Sequence, residues 1–399
     1  MGDGMITSFD RTLETLGDGE VIATGSGKTI FRLASCEKNP VVKPQDIGLT
    51  WKEAGKTRIG AVFNAGVELF EEKVILAPRC HQGYKKGTFF DEALGMKRHC
   101  LENYISEVWP LVSEDGLHFA RFKNVVISGD GTAHKDFTYG IEDIRIVKYG
   151  GRYVLVGCGK TKPPFKGGDS DRITIYSTDD FVNITYHGMV RSFDSRNAVP
   201  FTDPTDDRHY ILLRFHPNIH LDILEAGMDQ LLDPPRHAYE WEEIHKRKNK
   251  NLLLEAGHYL HEKEKIGPGP QVIKTDKGWL VIYHAVGEIE DSICKAYGLK
   301  EKIERGYSVC AALLDLRDPR NVLCRTRDPI YIPVAPYELC GDDEYPVDVP
   351  AVVFPVGVLV RKGKLLLYAG AGDKYITLLS CNLGGLIDYL WEYCRLNCR

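Results

Sequence analysis

The chain has 399 residues, 43% of them hydrophobic and 27% charged, with a formal net charge of −5. That is room for one large or two to three ordinary domains of a soluble globular protein, and the acidic balance argues against nucleic acid or an anionic membrane surface as a partner. No apolar run approaches the roughly 18 residues a membrane helix needs, and the opening MGDGMITSFD lacks the basic and apolar regions of a signal peptide.

The 11 cysteines are odd in number, none forms Cys-x-x-Cys, and Cys158 and Cys310 fall inside apolar, strand-like runs. A free thiol there behaves as a small hydrophobe, which points to a reducing cytoplasm without a disulfide framework or zinc site. Residues 1–60 form an N-terminal extension of short strand-like pieces. Within it Gly25-Ser26-Gly27-Lys28-Thr29 resembles part of a phosphate-binding loop, but the required earlier glycine is Ile22, so the pattern is broken.

From residue 61 a unit recurs: an apolar strand, a polar or glycine turn, and a second, more apolar strand. The copies are Val62–Phe70 with Val74–Pro78, Ile144–Tyr149 with Tyr153–Cys158, Ala198–Phe201 with Tyr210–Arg214, Gln271–Lys274 with Trp279–His284, and Val352–Val360 with Lys364–Tyr368. Outer turns of related chemistry follow several of them, as in Ser113-Glu114-Asp115-Gly116 and Ser177-Thr178-Asp179-Asp180. Five nearly all-strand units predict an all-β, five-bladed β-propeller over residues 61–382, with two stacked sheets as the alternative. Two stretches depart from the rhythm. Residues 287–306 place Ile289, Ile293, Tyr297 and Ile303 near helical spacing, predicting an inserted helix or lid. Residues 383–399 form a C-terminal amphipathic helix with Leu386, Ile387, Leu390, Trp391 and Cys394 on one face; that face packs on the propeller's side or on a second copy of the chain.

In a propeller the first strand of each blade lines the central channel. Polar residues at the strand mouths therefore converge: Asn64, then Glu142-Asp143 with Arg145, then Arg196-Asn197, then Gly267 to Gln271, then Asp348 with Pro350. The second strands add Arg79, Arg214 with His216, His284, and Tyr368 followed by Asp373. Asn, Asp, His and aromatic rings suit sugar hydroxyls, while arginine forks suit phosphate. Each residue alone has a plainer reading: Glu142-Asp143 as a structural turn pair, Arg79 and Arg214 as surface strand ends, His284 as a core histidine. Their recurrence at one end of successive repeats favours a shared site.

These residues resemble glycoside hydrolase family 130, five-bladed propellers that phosphorolyse or hydrolyse β-mannosides. The likeness rests on Phe63-Asn64-Ala65-Gly66, on Gly140-Ile141-Glu142-Asp143-Ile144-Arg145, and on Lys265-Ile266-Gly267-Pro268-Gly269-Pro270 followed by Gly278 to His284. It continues through Leu313 to Pro319, Val352 to Gly357 and Tyr368 to Asp373, in the family's order. The resemblance implies that Asp143 is the catalytic acid, acting through a hydroxyl of the bound mannose, while inorganic phosphate attacks C1 with inversion to give α-mannose 1-phosphate. Arg145, Arg196, Arg214 and His216 are then the expected phosphate ligands. Asn64, Arg79, Glu142, Asn197, His284, Tyr368 and Asp373 are the expected sugar contacts. Glu142 beside Asp143 is expected to keep a proton available near neutral pH.

Three departures from the family pattern stand out. Ile144 replaces the proline that follows the Glu-Asp pair. Arg196-Asn197 replaces a Lys-Asp pair, and Arg214-Phe215-His216-Pro217 replaces a His-Arg-Pro motif. The expectation is an inverting β-mannoside phosphorylase that uses a β-mannoside oligosaccharide and phosphate, with no metal and no other cofactor, and with self-association through the C-terminal helix. The alternatives are an inverting β-mannosidase, with Asp143 or a glutamate such as Glu225 working with water, and a non-catalytic sugar-binding propeller.

Overall fold

Three of the central hairpins turn through two residues that both have positive φ: Glu71-Glu72, Gly150-Gly151 and Lys362-Gly363. Such turns match the right-handed twist of the strands they join, so each apolar pair closes into an antiparallel ladder. The computed structural model describes residues 7–83, 85–92, 95–102, 104–129, 136–162, 170–205, 207–340 and 350–396. Asp348 lies outside them.

The ladders extend into five antiparallel sheets arranged as a five-bladed β-propeller. Blade one has Ala61–Phe70 innermost, then Lys73–His81, which pairs outward with Ser106–Val108 and Leu111–Ser113. Blade two runs Ile141–Tyr149, Arg152–Lys160, Asp171–Thr178, Thr185–Met189, and blade three Arg196–Asp203, Arg208–Phe215, Asn218–Ile223, Leu252–Leu254. The inner strand of blade four is interrupted, Lys265–Pro268 and Ile273–Lys274 both pairing with Trp279–Gly287; Gly306–Leu314 and Val322–Arg325 follow. Blade five comprises Val353–Arg361, Lys364–Ala371 and Tyr375–Asn382, and its outer strand is Ala34–Ser35 from the N-terminal region.

Both faces of each sheet are buried against a neighbour. Five apolar cores sit between successive blades, for example Ile75, Ile144 and Leu155 between one and two, and Leu76, Leu366 and Leu378 between five and one. At about 1.5–3 kcal/mol per fully buried aliphatic side chain, these ring-shaped contacts carry the fold. The recurrent outer turns are also real: Ser113 Oγ accepts from Gly116 N at 2.8 Å, Thr178 Oγ1 from Phe181 N at 2.8 Å, and Asp115 and Asp180 accept two backbone N–H groups each.

The 287–306 insertion contains one short helix, Asp291–Ala296, but it is no lid. Ile289, Ile293 and Ile303 pack with Ile30 and Ile332 in a core of their own. Lys28, from the broken phosphate-loop pattern, holds Glu290 at 2.7 Å and Asp328 at 2.9 Å across this wall. The C-terminal helix Leu383–Tyr393 buries Leu386, Ile387, Tyr389 and Leu390 on blades four and five, so the apolar face expected to drive self-association is covered by the chain itself. Four α-helices among the described residues escaped the sequence reading: Ser8–Thr15, Pro336–Leu339, and Met228–Leu232 with Ala238–Lys246, the last two covering blade three with Leu231, Trp241 and Ile244. Among the described residues no helix is long and apolar enough to cross a membrane.

Candidate active site

The inner strands of blades one, two and three break register at the same place. Between Phe63 and Gly66, Glu142 and Arg145, and Arg196 and Val199, each takes one residue more than its partner strand. The first extra residue has positive φ in every case: Asn64 at 51°, Asp143 at 52°, Asn197 at 60°. Asn and Asp tolerate that region better than other non-glycine residues, and a bulge re-aims the side chains on either side of it. Three identical bulges thus gather Asn64, Glu142, Asp143, Arg196 and Asn197 at one end of the channel. Gly66 lets the strands meet there, because a Cβ on it would lie 2.4 Å from Ile144 O.

Asp143 is 2% exposed. Its carboxylate accepts from Asn64 Nδ2 at 2.8 Å and Arg196 Nη2 at 2.9 Å, with Arg79 Nη1 at 3.6 Å. Glu142 accepts from Tyr104 Oη and from Arg196 Nη2 at 2.6 Å, and pairs with Arg79 Nη2 at 3.2 Å. Burial pushes the Asp143 carboxyl up, but Arg196, Arg79 and Arg145 together with the Asn64 amide outweigh it and hold it well below the ordinary carboxylate range. The expectation that Glu142 keeps a proton on Asp143 is not met, because the surrounding cations favour the ionised form. Three guanidinium groups decide the matter, and Asp143 rests as a carboxylate.

Arg196 is held on its other edge as well, by Asp171 at 3.5 Å, which in turn pairs with Lys160. Asp171 supplies from blade two the acidic neighbour that the Arg196-Asn197 sequence had appeared to lose. Arg145 departs from its expected role as a phosphate ligand. It is 1% exposed, and its nitrogens donate to Gly269 O (2.9 Å), Pro268 O (3.2 Å), Asp143 O (2.6 Å) and Asn197 Oδ1 (3.2 Å). With its donors spent on backbone and amide oxygens, it is a strut tying blades two, three and four.

Arg214 is different. It lies opposite Arg196 in the blade-three ladder, and its guanidinium has no hydrogen bond or ion pair among the described residues. Burial and the neighbouring Arg196 make its charge costly. His284 is fully buried beside it, the two flanking Gly267, where a Cβ would lie 2.4 Å from the ring and 2.9 Å from Arg214 Cδ. Both His284 nitrogens lack a partner among the described residues, and its ring lies on Phe354 at 4.3 Å. Burial first, then Arg214 and Lys265, keep the imidazole neutral, far below its ordinary pKa. Lys265 stands over the Tyr307 ring at 5.2 Å, and Tyr307 is 6.1 Å from His284. His216 sits exposed at the rim beyond Arg214.

Two further expectations fare unequally. Tyr368 is no sugar contact: it is fully buried between blades five and one, and its hydroxyl donates to Gly116 O at 2.9 Å. Asp373 is half-buried in the turn after Lys364–Ala371, next to Lys374, whose carbonyl accepts from Val62 N of blade one. Sequence reasoning missed Tyr104, Lys160, Asp171, Lys265 and Tyr307. Lys160 was within reach of it, lying two residues past the blade-two counterpart of Arg79 and Arg214, but Tyr104 follows an inserted hairpin, Lys85–Asp91 with Met96–Glu102, outside any repeat. Among the described residues His261, Glu262 and Cys310 could face one metal ion. Of the three, Glu262 is engaged by Arg325 at 2.7 Å and Tyr283 at 2.9 Å in a buried ion-pair network.

A five-bladed propeller with a caged carboxylate pair on its axis and an unengaged arginine beside it is the architecture of a carbohydrate-active enzyme. Residues 35–392 match the family model described as beta-1,4-mannooligosaccharide phosphorylase, and the chain belongs to that family, glycoside hydrolase family 130. It is 27% identical over 354 residues to a beta-1,2-mannobiose phosphorylase of Thermoanaerobacter sp. (strain X514), covering 87% of this chain and 96% of that one. The fold superposes on the beta-1,2-mannobiose phosphorylase of Listeria innocua in complex with beta-1,2-mannobiose, with a TM-score of 0.62 at 21% identity over 90% of this chain and 99% of that one. It superposes equally, at 0.62 and 19% identity over 88% and 93%, on a structure reported with the finding that this family of mannoside phosphorylases contains glycoside hydrolases targeting beta-1,2 mannosidic linkages in Candida mannan.

Proposed function

We propose that the protein is an inverting β-mannoside phosphorylase that cleaves its substrate with inorganic phosphate to give α-mannose 1-phosphate and a shortened acceptor. The observation that carries this reading is Arg214, a cation with no partner among the described residues, set beside the unpartnered His284. An inverting hydrolase needs a second carboxylate, free to activate water on the far face of the sugar. Here Glu142, Asp143 and Asp171 are each tied to a guanidinium or ammonium group. Glu225, the other carboxylate considered for that role, sits exposed on Arg247 at 3.3 Å. Phosphate is its own nucleophile and needs positive charge instead. The near full-length relative named a beta-1,2-mannobiose phosphorylase supports the same substrate class.

In this reading a phosphate oxygen attacks C1, the C1–O bond breaks, and the acceptor oxygen takes a proton from Asp143 by way of a mannose hydroxyl. The proton the acceptor gains matches the one phosphate gives up on becoming an ester. Arrival of an anion at Arg214 offsets part of the positive field on Asp143, which favours loading that proton. Asn64, Arg79 and Asn197 line the same end of the channel as sugar contacts, and His216 stands at its rim. No cofactor is needed for this chemistry. Cys36, Cys80, Cys158, Cys294, Cys310, Cys324, Cys340, Cys381 and Cys394 are free thiols, which supports a cytoplasmic setting.

The test is incubation of the purified chain with β-1,2- and β-1,4-linked mannobiose, with and without phosphate. Mannose 1-phosphate should form only when phosphate is present. Equal turnover without phosphate makes the protein a mannosidase, and no turnover on any mannoside makes it a binding propeller.

A further inference from the structure

Arg196 touches three carboxylates, and only two of them belong to the pair on the channel axis. The third, Asp171, begins the third strand of blade two and is nine-tenths buried. One oxygen faces Lys160, its register partner on the adjacent strand, and also accepts from Ser170 Oγ at 3.1 Å; the other faces Arg196 Nη1 at 3.5 Å. Its backbone is fixed from both sides, the N–H donating to Asp194 and the carbonyl accepting from Ser195 N. The carboxylate therefore sits at a set place between two cations, one of which reaches on to Glu142 and Asp143.

We propose that Asp171 is a positioning residue of the phosphorolysis site, holding one edge of the Arg196 guanidinium and so setting how much of that cation's charge falls on Asp143. The role rests on the phosphorylase reading above. The groups that face Asp143 are Arg79, Asn64 and the neutral His81 from blade one, Glu142 and Arg145 on its own strand, Arg196 from blade three, and the neutral His284 from blade four. Those that face Asp171 are Lys160, Arg196 and, at longer range, Arg214. Removing the Asp171 charge leaves Arg196 more strongly committed to Asp143 and makes the whole site more positive. Asp143 then gives up its proton at lower pH, and phosphate binds more tightly. Removing the Lys160 charge does the reverse on both counts.

The experiment measures turnover and KM for phosphate across pH on mannobiose for the wild type, Asp171→Asn, Asp171→Glu and Lys160→Gln. For Asp171→Asn the alkaline limb of the profile should move to lower pH by about one unit, a roughly tenfold loss of turnover at a fixed pH on that limb, while KM for phosphate falls. Lys160→Gln should move the limb and KM in the opposite directions, and Asp171→Glu should restore the wild-type profile. A limb that stays put in both Asp171→Asn and Lys160→Gln, with activity lost only in proportion to folded protein, overturns the role. A wild type that turns over mannobiose without phosphate overturns the phosphorylase reading instead, and the role falls with it.

Discussion

Arg145 and Arg214 carry the same expectation from sequence, a fork for phosphate, and the structure gives them opposite consequences on substitution. Replacing Arg145 with Met keeps most of the volume and strands four acceptors: Pro268 O, Gly269 O, Asp143 O and Asn197 Oδ1. Each buried acceptor left unpaired costs about 1–3 kcal/mol, which bounds the loss at ~4–12 kcal/mol. Water entering beside the axis recovers part of it, leaving ~3–5 kcal/mol, in line with other buried charges deprived of one partner. At ~2.1 cal/mol/K per residue, a chain of 399 residues has an unfolding entropy of ~0.8 kcal/mol/K, so the midpoint should drop by ~4–6 °C. Arg214→Met loses no protein partner and should leave the midpoint within ~1 °C. It forfeits instead a charge-assisted pair with phosphate, ~1.5–3 kcal/mol, or about a ten- to hundredfold rise in KM for phosphate. Thermal unfolding with and without phosphate, together with initial rates against phosphate, separates the two. Wild-type stability for Arg145→Met with a raised phosphate KM would refute the assignment of Arg145 as a strut.

Asp143→Asn preserves a residue type at home with positive φ, so the fold should survive while turnover drops by ~10²–10⁴-fold; activity within a factor of three of the wild type removes Asp143 as the acid. Tyr368→Phe should cost about 1 kcal/mol for the lost bond to Gly116 O and leave KM for the mannoside unchanged, measured by parallel melts and kinetics. Burial raises the carboxyls of Asp143 and Asp171, but the cations around them prevail and hold both below their unfolded values. Their contribution to stability is therefore complete above about pH 5 and is lost as pH falls through the unfolded value near 4 and below it. Melts from pH 7 down to pH 3 should show a shallower acid decline for Asp171→Asn than for the wild type, and parallel declines count against that carboxylate.

The repeat and the face on which polar residues converge were legible because both follow from strand periodicity. Asn64, Asp143 and Asn197 even carry the residue types a left-handed bulge prefers, one after another at equivalent places. Depth within the blade was not legible. Tyr368 lies two residues short of Gly370, on the same face of its strand; Gly370 meets Asn64 across the junction of blades five and one, and one step deeper along the strand Tyr368 lies in the core between them. Nor does a sequence tell whether an arginine fork points at a ligand or at carbonyls of the next blade, since both offer paired oxygen acceptors. The Asp171–Lys160 pair was invisible for a related reason: outer strands have no fixed polar signature, and only the register places Asp171 against the second strand's end.

The short pairing of Ala34–Ser35 with Leu379 and Ser380 joins segments about 345 residues apart, a closure worth ~5 kcal/mol of chain entropy on the logarithmic scaling for flexible loops. During synthesis Ala34–Ser35 leave the ribosome about 345 residues ahead of the strand they pair with. Blades one to four can accumulate in order, each on its predecessor, while the ring stays a crescent with two unpaired faces. If the blades form in that order, Glu142 and Asp143, which draw contacts from blades one, two and three, are caged before the ring is sealed.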